Sequence, residues 1–357
     1  MKIEEHLLAI EDRGSCPEDL GFGGIFTDHM FTQEFEEGSG WKEAAIKPFH
    51  NFTLHPASAV LHYGQEIFEG MKAYKRPDGR INLFRPLENA KRFNLSADRM
   101  MMPRVDETFH VDTIKRLVAI DHNWMPSQPG SLYIRPAMIA TTPVLGLAAS
   151  NNYTHFIIAG PVGAYFKQAL KPVAVFISDV HRRAVKGGVG EAKTGGNYAA
   201  SLYVSEKAKK EGFTQVLWLD AVEGKYVEEV GAMNICFVYK DGTIVTPELT
   251  GSILNGITRK SILQLAPTMG FSVKEGRLNI DDILHDIESG NITEVFGCGT
   301  AAAISPVGRL SFKGKDYVIN NDETGPIVNS LYTELTSIQY GIKEDIFDWT
   351  TTVNVAG

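Results

Sequence analysis

Two hairpin turns constrain the fold of this chain more than any other feature of its sequence. Met71-Lys72-Ala73-Tyr74 and Arg80-Ile81-Asn82-Leu83-Phe84 flank Pro77-Asp78-Gly79, and Lys240-Asp241-Gly242-Thr243 joins Phe237-Val238-Tyr239 to Ile244-Val245. Aspartate and glycine tolerate the positive φ of a tight turn, so each run is predicted to fold back on its neighbour. Helical spacing is rarer. Pro86 stands where a helix can begin, and Ala90, Phe93, Ala97, Met100 and Met101 recur at helical intervals before Pro103, the methionine pair reading as core filler. A second helix is predicted over Val111 to Trp124, carried by Ile114, Leu117, Val118 and Asp121 and closed by Pro126. Many strands joined by tight turns, with few helices, point to an α+β class rather than a doubly wound parallel sheet.

A chain of 357 residues exceeds what one core normally holds, so two domains are expected. Glycine and proline cluster from Gly160-Pro161 to Lys171-Pro172 between two strand-like runs. This places a small N-terminal α+β domain over 1–160, an interdomain loop over 161–172, and a large C-terminal domain over 173–357. The net charge of -8, without a long lysine/arginine run, speaks against nucleic acid as a partner. Cys16, Cys236 and Cys298 are too few and scattered for a disulfide framework, which suits a reduced, cytoplasmic setting. No apolar run is long enough to cross a bilayer, and the acidic start, Met1 to Arg13, resembles neither a secretory signal nor a transit peptide. His50, His55 and His62 lack zinc-ligand spacing, so no metal is expected.

Chemistry concentrates in four segments. Lys193 stands between Gly187-Gly188-Val189-Gly190 and Gly195-Gly196; dense glycine marks backbone that passes close to something or takes positive φ, although the local composition also suits a solvated loop. Val227-Glu228-Glu229-Val230-Gly231-Ala232-Met233-Asn234 sets a carboxylate beside a buried strand, where alternation should turn only one glutamate inward. Asn255-Gly256-Ile257-Thr258-Arg259 opens a helix whose first N–H groups suit a phosphate, and Val295-Phe296-Gly297-Cys298-Gly299-Thr300-Ala301-Ala302 ends another strand. Amine, buried carboxylate and two anion-binding turns are the parts of a pyridoxal 5'-phosphate site. Gly297-x-Gly299-x-x-Ala302 with Asp316 also satisfies a dinucleotide fingerprint, but Pro306 and Gly308 interrupt the helix that this reading needs.

The ordered series Phe22-Gly23-Gly24-Ile25-Phe26-Thr27-Asp28-His29-Met30, His62-Tyr63-Gly64, Phe68-Glu69-Gly70-Met71-Lys72, Leu132-Tyr133-Ile134-Arg135-Pro136, Gly163-Ala164-Tyr165-Phe166, the segments above and Gln339-Tyr340-Gly341 resembles the branched-chain amino acid aminotransferases. The resemblance runs through nearly the whole chain. It implies a two-domain architecture of the fold type IV pyridoxal phosphate enzymes, like D-amino acid aminotransferase. It implies amino transfer between L-leucine, L-isoleucine or L-valine and 2-oxoglutarate, with glutamate and 2-oxo acids as the other small-molecule partners. Lys193 would condense with the cofactor aldehyde and, once displaced, move the substrate proton. Glu229, rather than Glu228, would hold the pyridine nitrogen protonated, and Tyr198 would donate to the phenolic oxygen. The phosphate would rest on Arg92, Ile257, Thr258 and Thr300. Phe22, Tyr63, Phe68, Tyr133, Tyr165, Ala232 and Ala301 would shape the substrate pocket, and Arg135 would receive the second carboxylate of glutamate.

The resemblance further implies a homodimer, with the Tyr63 segment completing the partner's pocket. Other readings within fold type IV are a D-amino acid aminotransferase or an aminodeoxychorismate lyase, and outside catalysis a protein that only binds pyridoxal phosphate. Two departures stand out: Ala232 replaces a threonine common in the family, and Ala302-Ala303-Ile304-Ser305 replaces the Cys-x-x-Cys pair of some animal members.

Overall fold

The computed structural model describes residues 2–163 and 170–355. Its contacts divide the chain into two compact units, one of Met1–Tyr165, Ala192–Gly195 and Ser337–Gly357, the other of Phe166–Glu191 and Gly196–Thr336.

The first unit is built on a sheet of β1 (Glu4–Glu5), β2 (His29–Glu36), β3 (Gly40–Pro48), β4 (Glu66–Phe68), β5 (Met71–Lys75), β6 (Ile81–Phe84), β7 (Ser131–Ala140) and β8 (Asn152–Val162). These lie in the order β1-β3-β2-β8-β7-β5-β6, with β4 also paired to β7. The β5–β6 turn is the expected hairpin, with Gly79 at φ 83°. Along β7 the pleat sends Leu132 and Ile134 into a core with Ile114, Leu117 and Val118, while Tyr133 and Arg135 alternate with them. Each fully buried aliphatic side chain there contributes about 1.5 to 3 kcal/mol.

Three helices accompany this sheet: α1 (Ala59–Tyr63), α2 (Pro86–Arg99) and α3 (Glu107–Ile120). α2 begins at Pro86 as expected and buries Ala90, Phe93 and Ala97. It stops before the methionine pair. Met100, which caps the helix, packs against the core of Phe93 and Ala97 as expected, whereas Met101 takes φ 53° and is 71% exposed. α3 starts four residues before the predicted Val111, because the Asp106 carboxylate accepts from the Phe109 N–H (2.7 Å) and caps it there.

The second unit contains β9 (Val173–Ser178), β10 (Gln215–Leu219), β11 (Val227–Val230), β12 (Met233–Tyr239), β13 (Ile244–Pro247), β14 (Val273–Gly276), β15 (Ile292–Gly299), β16 (Ala303–Phe312) and β17 (Lys315–Val318). The path β11-β10-β9-β16-β15-β12 closes on itself through a β11–β12 pairing, so these six strands form a ring. Val175, Leu217, Val230, Ile235, Val295 and Leu310, one from each strand of the ring, meet in one apolar cluster. α4 (Gly195–Lys210), α5 (Ile257–Thr268), α6 (Ile280–Glu288) and α7 (Pro326–Gln339) complete the helices. β15 and β16 are an antiparallel hairpin across Gly299↔Ala303, which excludes the strand-to-helix turn of the dinucleotide reading.

The chain then returns. β18 (Thr350–Val353) pairs with β6, Thr350 opposite Phe84, so the C-terminal segment adds to the first unit's sheet and not to the domain over 173–357 expected from sequence. The edge of β6 presents unpaired backbone groups that β18 satisfies, and Trp349 packs edge-on against Phe84 at 5.6 Å.

Candidate active site

Lys193 belongs to the first unit because its backbone is tied there on both sides. Its carbonyl accepts from the Phe68 N–H (3.0 Å), and its own N–H donates to Ser96 Oγ of α2 (2.9 Å). The next turn is fixed by Glu66, whose carboxylate accepts from the Gly195 N–H. A Cβ at Gly195 would meet that same carboxylate, so a side chain there would displace it. The glycine-bracketed lysine is therefore not a solvated loop residue.

Its amine lies 4.5 Å from the centre of the Phe68 ring. Burial, reinforced by the Arg92 charge, lowers Lys193 from 10.5 to about 8. Arg92, on α2, makes a bidentate pair with the fully buried Glu69 through Nε (2.7 Å) and Nη2 (2.9 Å). Arg135 stacks 4.7 Å from the Phe68 ring centre and donates from Nη2 to the Tyr133 hydroxyl (3.1 Å). Phe22 meets Tyr133 edge to face at 5.4 Å. A Cβ at Gly70 would collide with the Tyr133 hydroxyl, so glycine there leaves room for the ring. One cluster thus unites Lys193, Arg92, Phe68, Tyr133, Arg135 and Phe22.

A second cluster lies in the second unit. Glu229 on β11 is buried, 2.6 Å from Arg183 Nε. Its Oε1 accepts from the Leu254 N–H (3.1 Å) and from Asn234 Nδ2 (3.4 Å). Asn234 Nδ2 also donates to the Leu254 carbonyl (2.9 Å), and a Cβ at Gly256 would collide with Asn234 Oδ1. Glycine at 256 therefore lets the start of α5 lie against β12, next to Glu229. Ile257 and Thr258, both buried, form the first turn of α5, where N–H groups have no partner inside the helix. The pairings Asn234↔Cys298 and Gly299↔Ala303 bring the turn holding Thr300 and Ala301 to the same end of the ring as the β11–β12 turn with Ala232.

Alternation does not leave Glu228 in water: both glutamates are buried, at 4% and 3% exposure. They face different partners, Glu228 accepting from Ser252 Oγ while Glu229 takes Arg183 and Leu254.

Tyr198 is half-buried in the first turns of α4. Tyr63, at the end of α1, donates to the carbonyl of Leu145 and is 39% exposed. Tyr165 lies outside the described residues. His50 and His62 meet the carbonyls of Pro48 and Pro56 (2.8 Å each), and His55 accepts from the Ala57 N–H (3.0 Å). Arg183, Glu66 and Ser96 join the clusters with no signal in the sequence, and Glu69 and Asn234 join them from within recognised segments but without an expected role. Asn234, within Glu229-Val230-Gly231-Ala232-Met233-Asn234, was the most accessible of these, since β11 and β12 were both recognisable.

Residues 66–310 match the model of the amino-transferase class IV family. The chain is 50% identical over 339 residues to branched-chain-amino-acid transaminase 1 of Bacillus subtilis strain 168, covering 94% of this chain and 95% of that protein. It is 46% identical over 351 residues to a probable branched-chain-amino-acid aminotransferase of Streptomyces coelicolor, covering 98% and 97%. Among solved structures, the T.th. branched-chain amino acid aminotransferase with pyridoxamine 5'-phosphate superposes with a TM-score of 0.77 at 28% identity, covering 94% of this chain and 99% of that one. The Escherichia coli enzyme gives 0.76 at 27% identity, covering 91% and 99%. With closely similar relatives along almost its full length, the chain belongs to the branched-chain-amino-acid aminotransferases of amino-transferase class IV.

Proposed function

We propose that the protein is a pyridoxal 5'-phosphate-dependent transaminase that moves the amino group between L-leucine, L-isoleucine or L-valine and 2-oxoglutarate. The observation that carries this reading is Lys193, an amine lowered to about 8 and held against Phe68 beside Arg92 and Arg135. The residues fit the group: a nucleophilic amine, a buried carboxylate braced by a cation, and a helix start whose glycine permits close approach. When bound, the cofactor supplies an aldehyde for the amino group and an electron-withdrawing ring.

Lys193 would be the amine that holds the cofactor, and its lowered affinity for protons suits it to take the proton from the substrate α-carbon. Glu229 would keep the pyridine nitrogen protonated, and Tyr198 would donate to the phenolic oxygen. Ile257, Thr258 and Thr300 would hold the phosphate through backbone amides and hydroxyls, and Arg92, oriented by Glu69, would add its charge. Phe22, Phe68 and Tyr133, with Ala232 and Ala301, would give the aliphatic side chain an apolar surface, while Arg135 would take the distal carboxylate of glutamate. Tyr63, whose hydroxyl meets the carbonyl of the exposed Leu145 (70%), belongs to a face that a second copy covers in a homodimer. A cytoplasmic location accords with this metabolism, and among the described residues no helix is long and apolar enough to cross a membrane.

Glutamate formation from 2-oxoglutarate, compared for L-leucine, L-isoleucine, L-valine and D-alanine, tests the reading. The three branched-chain donors should exceed D-alanine by orders of magnitude; preference for D-alanine would overturn it.

A further inference from the structure

A cavity of ≈ 360 Å³ opens in the second unit, lined by Glu228 and not by Glu229. That volume accommodates a small organic molecule. Four carboxylates line it, Asp220, Glu223, Glu228 and Glu248, against two cations, Lys186 and Arg277. Two of the carboxylates already have partners. Asp220 accepts backbone N–H groups from Val222, Glu223, Lys225 and Tyr226, and Glu223 pairs with Arg277 (2.9 Å), which stacks 3.7 Å from the Tyr226 ring centre.

Glu228 differs. It is 4% exposed, its Oε1 accepts from Ser252 Oγ, and its Oε2 has no hydrogen-bond partner among the described residues. A buried carboxylate oxygen without a donor is costly, more so when charged, so a buried wall of this kind favours an occupant that donates. Burial raises the Glu228 carboxyl above its ordinary range, although the Ser252 hydroxyl and the Arg183 charge act in the opposite direction.

We propose that this cavity, whose lining includes no residue of the Lys193 cluster, is a second ligand site that takes a small organic cation whose N–H groups donate to Glu228, with Glu248 as the second carboxylate. A guanidinium suits it best, because two parallel N–H groups can meet one carboxylate. The site is connected to Glu229. Ser252 donates from its hydroxyl to Glu228 and accepts at its carbonyl from Arg183, the cation beside Glu229. An occupant that shifts Ser252 therefore bears on the Arg183–Glu229 pair.

Methylguanidinium is the probe, since it is not a primary amine of the kind that condenses with the cofactor. Titration calorimetry of the holoenzyme should show saturable binding at one site per chain. Glu228→Gln, which keeps the shape and the Ser252 contact, should weaken it about tenfold or more, as expected for the loss of a charge-assisted contact. Glu248→Gln, at a half-buried position, should weaken it to a smaller extent and serves if the first variant folds poorly. Lys193→Ala should leave the affinity unchanged. Absence of saturable binding at tens of millimolar, equal affinity in both glutamine variants and wild type, or loss of binding in Lys193→Ala would each overturn the proposal. A shift of the cofactor absorbance on saturation is the second readout, and it alone rests on Glu229 facing the cofactor; binding without that shift would retain the site and remove its connection to Glu229.

Discussion

The Arg183 guanidinium lies 2.6 Å from a Glu229 carboxylate oxygen, and both side chains are buried. Removing one member of such a pair leaves an uncompensated charge, so Arg183→Met should cost about 3 to 5 kcal/mol of stability. Thermal unfolding of the holoenzyme checks this, and an unchanged midpoint would contradict it.

The two neighbouring glutamates should separate in kinetics. Glu229→Gln keeps a group able to accept from Leu254 but removes the charge, so kcat should fall more than tenfold, at least about 1.4 kcal/mol of barrier, with cofactor still bound. Glu228→Gln should leave kcat within about twofold. The reverse ranking would mean that Glu228 serves the cofactor.

Lys193 gives a pH-dependent prediction for the cofactor-free protein. Its affinity for protons is lowered from 10.5 to about 8, so across that window the unfolded chain binds more protons and stability rises with pH. Below about 8 the penalty of the buried charge is present in full. Lys193→Met should therefore stabilise the cofactor-free protein at pH 7 by about 1 to 3 kcal/mol, with the gain shrinking towards pH 10.5, while abolishing turnover. Urea unfolding at both pH values measures it; a variant less stable than wild type at pH 7 would contradict the account.

Arg135 should distinguish the two half-reactions. It stacks on Phe68 and donates to Tyr133 at a half-buried position, where it can meet the distal carboxylate of glutamate. Arg135→Ala should raise KM for 2-oxoglutarate about tenfold or more, since charge-assisted contacts contribute about 1.5 to 3 kcal/mol, and spare the leucine half-reaction. Equal losses in single-turnover absorbance would assign Arg135 to the fold or to the α-carboxylate.

Local chemistry made part of this structure legible. Asp78-Gly79 and Asp241-Gly242 announce their hairpins because the turn conformation itself selects those residues, and Gly79 and Gly242 take φ 83° and 82°. Gly256 ahead of Ile257 marks the start of α5 for a different reason: its backbone is extended, and a side chain there would collide with Asn234. Contacts distant in sequence left no such signal. The return of β18 to β6 satisfies a sheet edge, and no periodicity in either segment names its partner. Arg183 with Glu229 and Arg92 with Glu69 are pairs made by tertiary folding alone. Alternation misled at Glu228 because it presumes one solvated face, whereas both faces of β11 are covered.

The identity of the lysine that carries the cofactor tests the central claim most directly. Lys72, on β5, is also buried and also lowered to about 8, so the chain contains an internal alternative to Lys193. Borohydride reduction of the holoenzyme followed by peptide mass mapping fixes the cofactor to whichever amine holds it. The account predicts the added mass on Lys193 alone; the added mass on Lys72, or on no lysine, would contradict it.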